Sequence, residues 1–392
     1  MFIIETFLFS WLGLKASSYM QRDGSDTNIL FFHQLSPKNT SVICLSLNST
    51  DKIRVLGPEE IFSLVKNTIA RSWPLGIQRE QMFGQSYEIK LHGNPWTDWA
   101  RDSMESFSIP IMICELMNTL FKNGWIFVGA IDTGKSHYSL NALYFYYAPN
   151  EISPSDLQNT KFFALSLNKN DRIRLHRATS DLISIMSNTS WGIPQLWKAG
   201  IQQQSLIHNA LEFKLKGNPW YANEYEAVES RRLLNNIFNL LARYGWNLYG
   251  TCDLTKHLSN KSTFFFRSKP VEPKSLVNFC VSLNETDKIR LIDHTPGLDQ
   301  QVRMAIMQAW PKGIQTETDY FSSQQFKLRG YPFQNFDSSS DHVYACVLMI
   351  FILQNIESMG FRLLCSADVS GKYVSNDNNS YPVDLHSWFF EN

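Results

Sequence analysis

Leu45-Ser-Leu-Asn-Ser-Thr-Asp51-Lys-Ile-Arg54 is answered 120 residues later by Leu165-Ser-Leu-Asn-Lys-Asn-Asp171-Arg-Ile-Arg174, and after a further 116 by Val281-Ser-Leu-Asn-Glu-Thr-Asp287-Lys-Ile-Arg290. Each phrase leads to a Trp-x-x-Gly-Ile-Gln element, at Trp73–Gln78, Trp197–Gln202 and Trp310–Gln315. Twenty residues after each of these tryptophans stands a glycine, Gly93, Gly217 or Gly330. These close Glu88-Ile-Lys-Leu-His-Gly-Asn-Pro-Trp96, Glu212-Phe-Lys-Leu-Lys-Gly-Asn-Pro-Trp220 and Gln325-Phe-Lys-Leu-Arg-Gly-Tyr-Pro-Phe333. Gly124-Trp125, Gly245-Trp246 and Gly360-Phe361 follow, each with an aspartate eight residues after the glycine: Asp132, Asp253 and Asp368. The aromatic runs Tyr144–Tyr147, Phe264–Phe266 and Trp388–Phe390 end the copies. Constant order and near-constant spacing establish a triplication. Its period is domain-sized, far above the 20 to 50 residues of solenoid repeats.

Within a copy the periodicities are those of strands and helices. Cys44-Leu-Ser-Leu-Asn and Lys52-Ile-Arg-Val alternate as strands do, whereas Ile61, Leu64, Val65 and Ile69 recur at helical spacing. Tyr87, Ile89 and Leu91 alternate with Glu88, Lys90 and His92, giving a half-buried strand that Gly93-Asn-Pro ends. Leu233, Leu234, Ile237, Leu240 and Leu241 mark a second helix, with Gly245 as its stop. The order is β-α-β-α-β-β with an extra strand at its start. The fold class is therefore α+β, three tandem homologous domains, each a small sheet with two helices on one face. The Pro/Ser-rich stretches near 149–159 and 268–275 read as linkers. The expected segments are 1–27 (an apolar N-terminal piece), 28–148, 149–268 and 269–392. Pro110 is expected to kink or start the second helix of the first copy, and about four extra residues precede Trp197, with a decoy Trp191-Gly-Ile.

The 392 residues are 44% hydrophobic and 14% aromatic, which excludes a disordered chain. Lys plus Arg and Asp plus Glu both total 36, so no global charge draws the protein to nucleic acid or to an anionic membrane. Six cysteines without a CxxC or a zinc-type cluster read as free thiols in apolar cores, which favours a reducing, cytoplasmic setting. Residues 1–14 are apolar but carry Glu5 and lack a basic start. They are expected to form a packed helix or one that brushes a membrane surface; a signal peptide ending near Ala16-Ser17-Ser18 is the alternative.

Chemistry is the quieter signal. The recurring aspartates could pair as acid and base or bind a hard cation, but the Asn-x-x-Asp-Lys/Arg pattern is that of a turn. The nine histidines occupy no common landmark, and G-x-S-x-G, H-E-x-x-H and a phosphate loop are all missing from the sequence. Gly134-Lys135-Ser136 lacks the first glycine of such a loop. No cofactor and no metal is expected. The expected function is a non-catalytic binding or scaffold protein with a protein partner. Trp96, Trp220 and Phe333 in the strand-end loops, with Lys214 and Lys216 beside them, are the candidate binding residues, because an aromatic on a rigid loop offers contact area at little entropic cost; the other reading of Trp96 and Trp220 is that each is a lid on the core. An enzyme with one active copy is the rival. Single-stranded nucleic-acid binding, by basic strand residues with neighbouring aromatics, is the third possibility.

Overall fold

The Leu-Ser-Leu-Asn phrase becomes the third strand from one edge of a six-stranded antiparallel sheet, in each copy alike. The computed structural model describes residues 12–19, 28–34, 36, 40–97, 102–132, 140–255, 261–271, 276–334, 340–376, 379–382 and 384–392. It opens with a hairpin of β1 (Leu12–Tyr19) and β2 (Asn28–Gln34). The first domain is β3 (Val42–Asn48), β4 (Lys52–Leu56), α1 (Glu59–Ser72), β5 (Ile77–Phe83), β6 (Ser86–Leu91), α2 (Met104–Lys122), β7 (Trp125–Ile131) and β8 (Ala142–Tyr147), with sheet order β5-β6-β4-β3-β8-β7. After a linker helix α3 (Pro154–Asn159), the second repeats it with β9 (Phe162–Asn168), β10 (Arg172–His176), α4 (Ser180–Ser187), α5 (Ile193–Leu196), β11 (Ile201–Ile207), β12 (Ala210–Leu215), α6 (Glu224–Arg243), β13 (Trp246–Cys252) and β14 (Thr263–Ser268). The third comprises β15 (Asn278–Asn284), β16 (Lys288–Ile292), α7 (Leu298–Ala309), β17 (Ile314–Asp319), β18 (Ser323–Leu328), α8 (Asp341–Ser358), β19 (Arg362–Ala367), a short hairpin β20 (Tyr373–Asn376) and β21 (Asn379–Pro382), and β22 (Asp384–Glu391). The three sheets share one strand order, so the fold is three tandem α+β domains.

Four details differ from the sequence reading. Each sheet has an added outer strand, β5, β11 or β17, which begins at the Gly-Ile-Gln element. Its residues are mostly exposed on both faces, so no apolar alternation announced it. The first helix of copy two is split: α4 and α5 flank Trp191, which is 47% exposed, and the extra residues form that break. Pro110 neither starts nor ends α2, which begins at Met104 behind the Ser103 cap and runs through the proline; the missing N–H leaves one hydrogen bond unmade. Leu12, Gly13 and Leu14 lie in a strand, not in the helix expected over residues 1–14, and residues 1–11 lie outside the described residues. Strand pairing along β1 and β2 satisfies the backbone that a helix would otherwise have closed on itself.

The domains are not independent beads. In each sheet the inner face carries the core under the two helices, yet the outer face is apolar too. Phe162 and Ala164, on the outer face of β9, belong to the core cluster of the first domain, where α2 lies across them. Cys280, Ile292 and Phe389, on the outer face of the third sheet, belong likewise to the core of the second, under α6. The end strands β7 and β13 also meet. Tyr249 of β13 enters the first core, and the Phe127 N–H donates to its hydroxyl at 2.9 Å. At Gly250 a Cβ would stand 2.2 Å from the Phe127 ring, so only glycine permits this approach.

The hairpin completes the circuit. β7 packs on β13, β13 on β19, β19 on β1 and β1 on β7. Leu14 and Leu30 lie on the apolar outer patch of the first sheet, at Val42, Cys44 and Tyr144. Phe31, on the opposite face of β2, enters the third core, edge-on to Trp388 at 5.1 Å, while the Trp388 indole donates to Ser18 Oγ at 2.9 Å. Strand β2, assigned by sequence to the segment 28–148, therefore belongs to this hairpin and not to the first six-stranded sheet. A Phe31→Ala change is expected to cost about 3–5 kcal/mol, as buried aromatic truncations do; urea unfolding of the full chain measures it, and a loss below about 1 kcal/mol would show that the hairpin is not part of the core.

Candidate functional site

The aromatic candidates fall inside the protein. Trp96, Trp220 and Phe333 are each 0% exposed and lie in the three cores. The Trp96 indole donates to Lys52 O at 3.1 Å and that of Trp220 to Arg172 O at 2.9 Å. The backbone of the same residues is tied to the strand turn, for the N–H groups of Trp96, Trp220 and Phe333 donate to Thr50, Asn170 and Thr286 carbonyls. The Gly-x-Pro segment turns the chain inward, so these rings are lids on the core. This corrects their expected role as exposed binding residues: apolar area and a satisfied N–H both favour burial.

Trp73, Trp197 and Trp310 are equally buried, and their indoles donate to the carbonyls of His92, Lys216 and Arg329 at 3.1, 2.9 and 2.9 Å. Lys214 is half-buried on β12, and Lys216, one residue past the end of that strand, is exposed. The structure does not bring them to Trp220 as one surface, because the ring faces the opposite way. Stacking of nucleic-acid bases needs an open ring face, and these tryptophans offer none.

The recurring aspartates serve the architecture. The carbonyls of Asp51, Asp171 and Asp287 accept from Leu91, Leu215 and Leu328, closing the strand turns. Asp51 faces Lys90 at 3.6 Å, Asp171 faces Arg172 at 3.8 Å and Asp287 faces Lys327 at 3.9 Å. Two of the second set, Asp253 and Asp368, meet at the junction of all three domains. Asp253 N–H donates to Asn141 Oδ1 at 2.6 Å, and Ser262 Oγ donates to Asp253 Oδ1 at 3.0 Å while accepting from Asp368 N–H at 2.9 Å. Asp368 also holds an Asx turn, its Oδ1 accepting from Ser370 N–H at 3.0 Å. Burial first, and the neighbouring Asp253 carboxylate second, push the Asp368 carboxyl up to about 8. The hydrogen bonds of these two aspartates stitch the domains together.

Polar side chains on the outer sheet faces form the other recurring set. Arg54 Nε donates to Glu88 at 2.9 Å, Arg174 Nε to Glu212 at 2.6 Å and Arg290 Nε to Gln325 at 2.8 Å. In copy two this pair is sealed by the preceding domain: Asp102 lies 2.6 Å from Arg174 Nη2 and the Phe107 ring 4.1 Å beneath its guanidinium. His176 beside it is wholly buried, and burial lowers its pKa to about 3; the Ser166 hydroxyl is its partner at 2.8 Å. His386 is held down to about 4 by the same cause. Both rings stay neutral at physiological pH, and His176 faces no solvent. Among the described residues no group of three or more His, Cys, Asp and Glu is placed to hold a metal ion, and no helix is long and apolar enough to cross a membrane.

What recurs and is open is the sheet edge. β5, β11 and β17 are each the last strand of their sheet, entered through a glycine at positive φ (Gly76 +74°, Gly200 +83°, Gly313 +71°) and bulged after the first residue. Exposed apolar side chains sit at their far ends: Met82 and Phe83, Leu206, and Phe321 just beyond β17. The sequence shows the Gly-Ile-Gln landmark of this edge but not its exposure.

One domain family matches the chain three times, over residues 41–146, 161–267 and 278–391. Together the matches span well over half of the chain, which belongs to that family. Each match is one six-stranded domain, and the N-terminal hairpin lies outside all three. No curated protein and no solved structure matches.

The lid assignment has a direct check. Trp96→Ala and Trp220→Ala are each expected to cost about 3–5 kcal/mol in urea unfolding. Trp220→Phe, which keeps most of the volume but strands the Arg172 carbonyl, should cost nearer about 1 kcal/mol. Unchanged stability in the alanine variants would return these rings to the surface.

Proposed function

We propose that the protein is a non-catalytic scaffold that binds extended segments of partner proteins along its open sheet edges. The observation that carries this is the threefold recurrence of one exposed edge strand, at the same place in each domain. An edge presents unpaired N–H and C=O groups at strand spacing, which an extended peptide completes by adding a strand. Three such edges on one chain would raise the effective concentration for a multivalent partner.

The three edges are graded in strength. Charges on an edge discourage pairing. β5 carries Arg79 and Glu80, and β17 carries Glu317 and Asp319, whereas β11 (Ile-Gln-Gln-Gln-Ser-Leu-Ile) has none. The second domain is therefore the principal site. Six unbridged cysteines, five of them buried, support a reducing cytoplasmic setting.

The test uses the full chain and a displayed library of unstructured peptides. Selected peptides are expected to slow amide exchange over residues 201–207 most, with smaller effects over 77–83 and 314–319. Gln203→Lys with Gln204→Lys should weaken binding about tenfold, near 1.4 kcal/mol. Protection elsewhere, or binding unaffected by the lysines, would refute strand addition.

A further inference from the structure

The same domain junction is built twice within the chain, and each half of it is left over once. In the first junction α2 crosses the second sheet, with Phe107 against His208 at 5.1 Å and Phe121 against Phe162 at 5.7 Å. In the second, α6 crosses the third sheet: Arg232 Nε donates to Asp293 at 2.6 Å, Tyr225 meets Phe321 at 5.5 Å and Phe238 meets Phe389 at 5.2 Å. Counted back from the glycine that follows each long helix, Phe107 and Cys114 of α2 correspond to Val228 and Asn235 of α6. All four are at most 1% exposed. The corresponding residues of α8 are Val343 and Ile350, which are 60% and 43% exposed, with Val347 between them.

The complementary half is open on the first domain. The Arg174 side chain is 0% exposed and that of Arg290 7%, but Arg54 retains 27%. Phe83, which lies 4.0 Å from the Arg54 guanidinium on the outer face, is 50% exposed. Among the described residues the N-terminal hairpin lies on the other part of this face, at Val42, Cys44 and Tyr144, and meets the C-terminal end of α8 through the Lys15–Glu357 ion pair. What stays open on each side is the half that meets in the internal junctions, where the N-terminal half of α2 sits over Arg174.

We propose that α8 of one molecule docks through Val343, Val347 and Ile350 onto the Arg54–Phe83 half of the first-domain sheet of a second copy. The contact continues an interface that the fold already makes twice, and its occupant is set by that continuity: the outer sheet face of a domain of this kind, of which the first domain's is the open one. Because helix and sheet are different surfaces, the contact is heterologous, and two molecules either engage reciprocally or extend head to tail. An apolar helix strip against an aromatic beneath a guanidinium is chemically the Phe107–Arg174 junction with the roles of side chain and sheet exchanged.

Sedimentation velocity on the full chain over the micromolar range decides it. The wild type is expected to associate with rising concentration. Val343→Glu with Ile350→Glu, and separately Phe83→Lys, alter exposed residues, so each variant should melt like the wild type. Each alone should weaken self-association about a hundredfold, since a charge is forced into an apolar contact. An equimolar mixture of the two restores one intact junction and should give a 1:1 pair. A wild type that stays monomeric overturns the proposal. So does a Phe83→Lys variant that self-associates like the wild type, which would mean helix meeting helix, and so does a mixture that fails to pair.

Discussion

Each six-stranded sheet has apolar side chains on both faces, and its own domain's helices cover only the inner one among the described residues. That constraint organises the whole molecule. The two helices of a domain cover the inner face, so the outer face at Phe162 and Ala164, or at Cys280 and Phe389, must take its cover from elsewhere. The long helix of the preceding domain supplies it. At roughly 25 cal/mol per Å² of apolar surface removed from water, leaving such a face open would be a heavy loss for domains of this size. The chain order of the domains therefore fixes their spatial order.

On the first sheet, among the described residues, the N-terminal hairpin covers part of the outer face. Its two faces do different work: Leu14 and Leu30 cover the first sheet, while Phe31 and Ser18 serve the third core at Trp388. A two-stranded hairpin is marginal on its own, so its order derives from the two domains it joins. The Asn141–Asp253–Ser262–Asp368 network, half-buried at its aspartates, ties the three domains at the other contact between them. Residues that recur in the sequence thus recur for architectural reasons, and the edge strands are what the architecture leaves exposed in each copy.

Much of this was legible in the sequence. The triplication, the two helices and the strands with one buried face follow from spacing alone, because period and burial coincide there. β11 escaped because a strand exposed on both faces has no alternation to read, and Gln202-Gln-Gln204 resembles a loop. The N-terminal apolar run suggests a helix because Phe2, Phe9, Trp11 and Leu12 suit one helical face, whereas the strand that starts at Leu12 depends on pairing with residues near 30. The direction of Trp96 and Trp220 is not encoded locally at all. A tryptophan after Gly-x-Pro has the same sequence whether it faces solvent or core, and the decision is made by the cavity beneath it and by the carbonyl that awaits its N–H.

Equilibrium unfolding of the full chain, set beside that of residues 161–267 alone, tests the interdependence of the domains most directly. If each sheet needs its neighbour's helix, the full chain should unfold in one transition, coincident by fluorescence and circular dichroism. The isolated segment, with Phe162 and Ala164 uncovered, should then fail to show a cooperative transition. A segment that folds stably as a monomer, together with a full chain that unfolds in three separate steps, would contradict it.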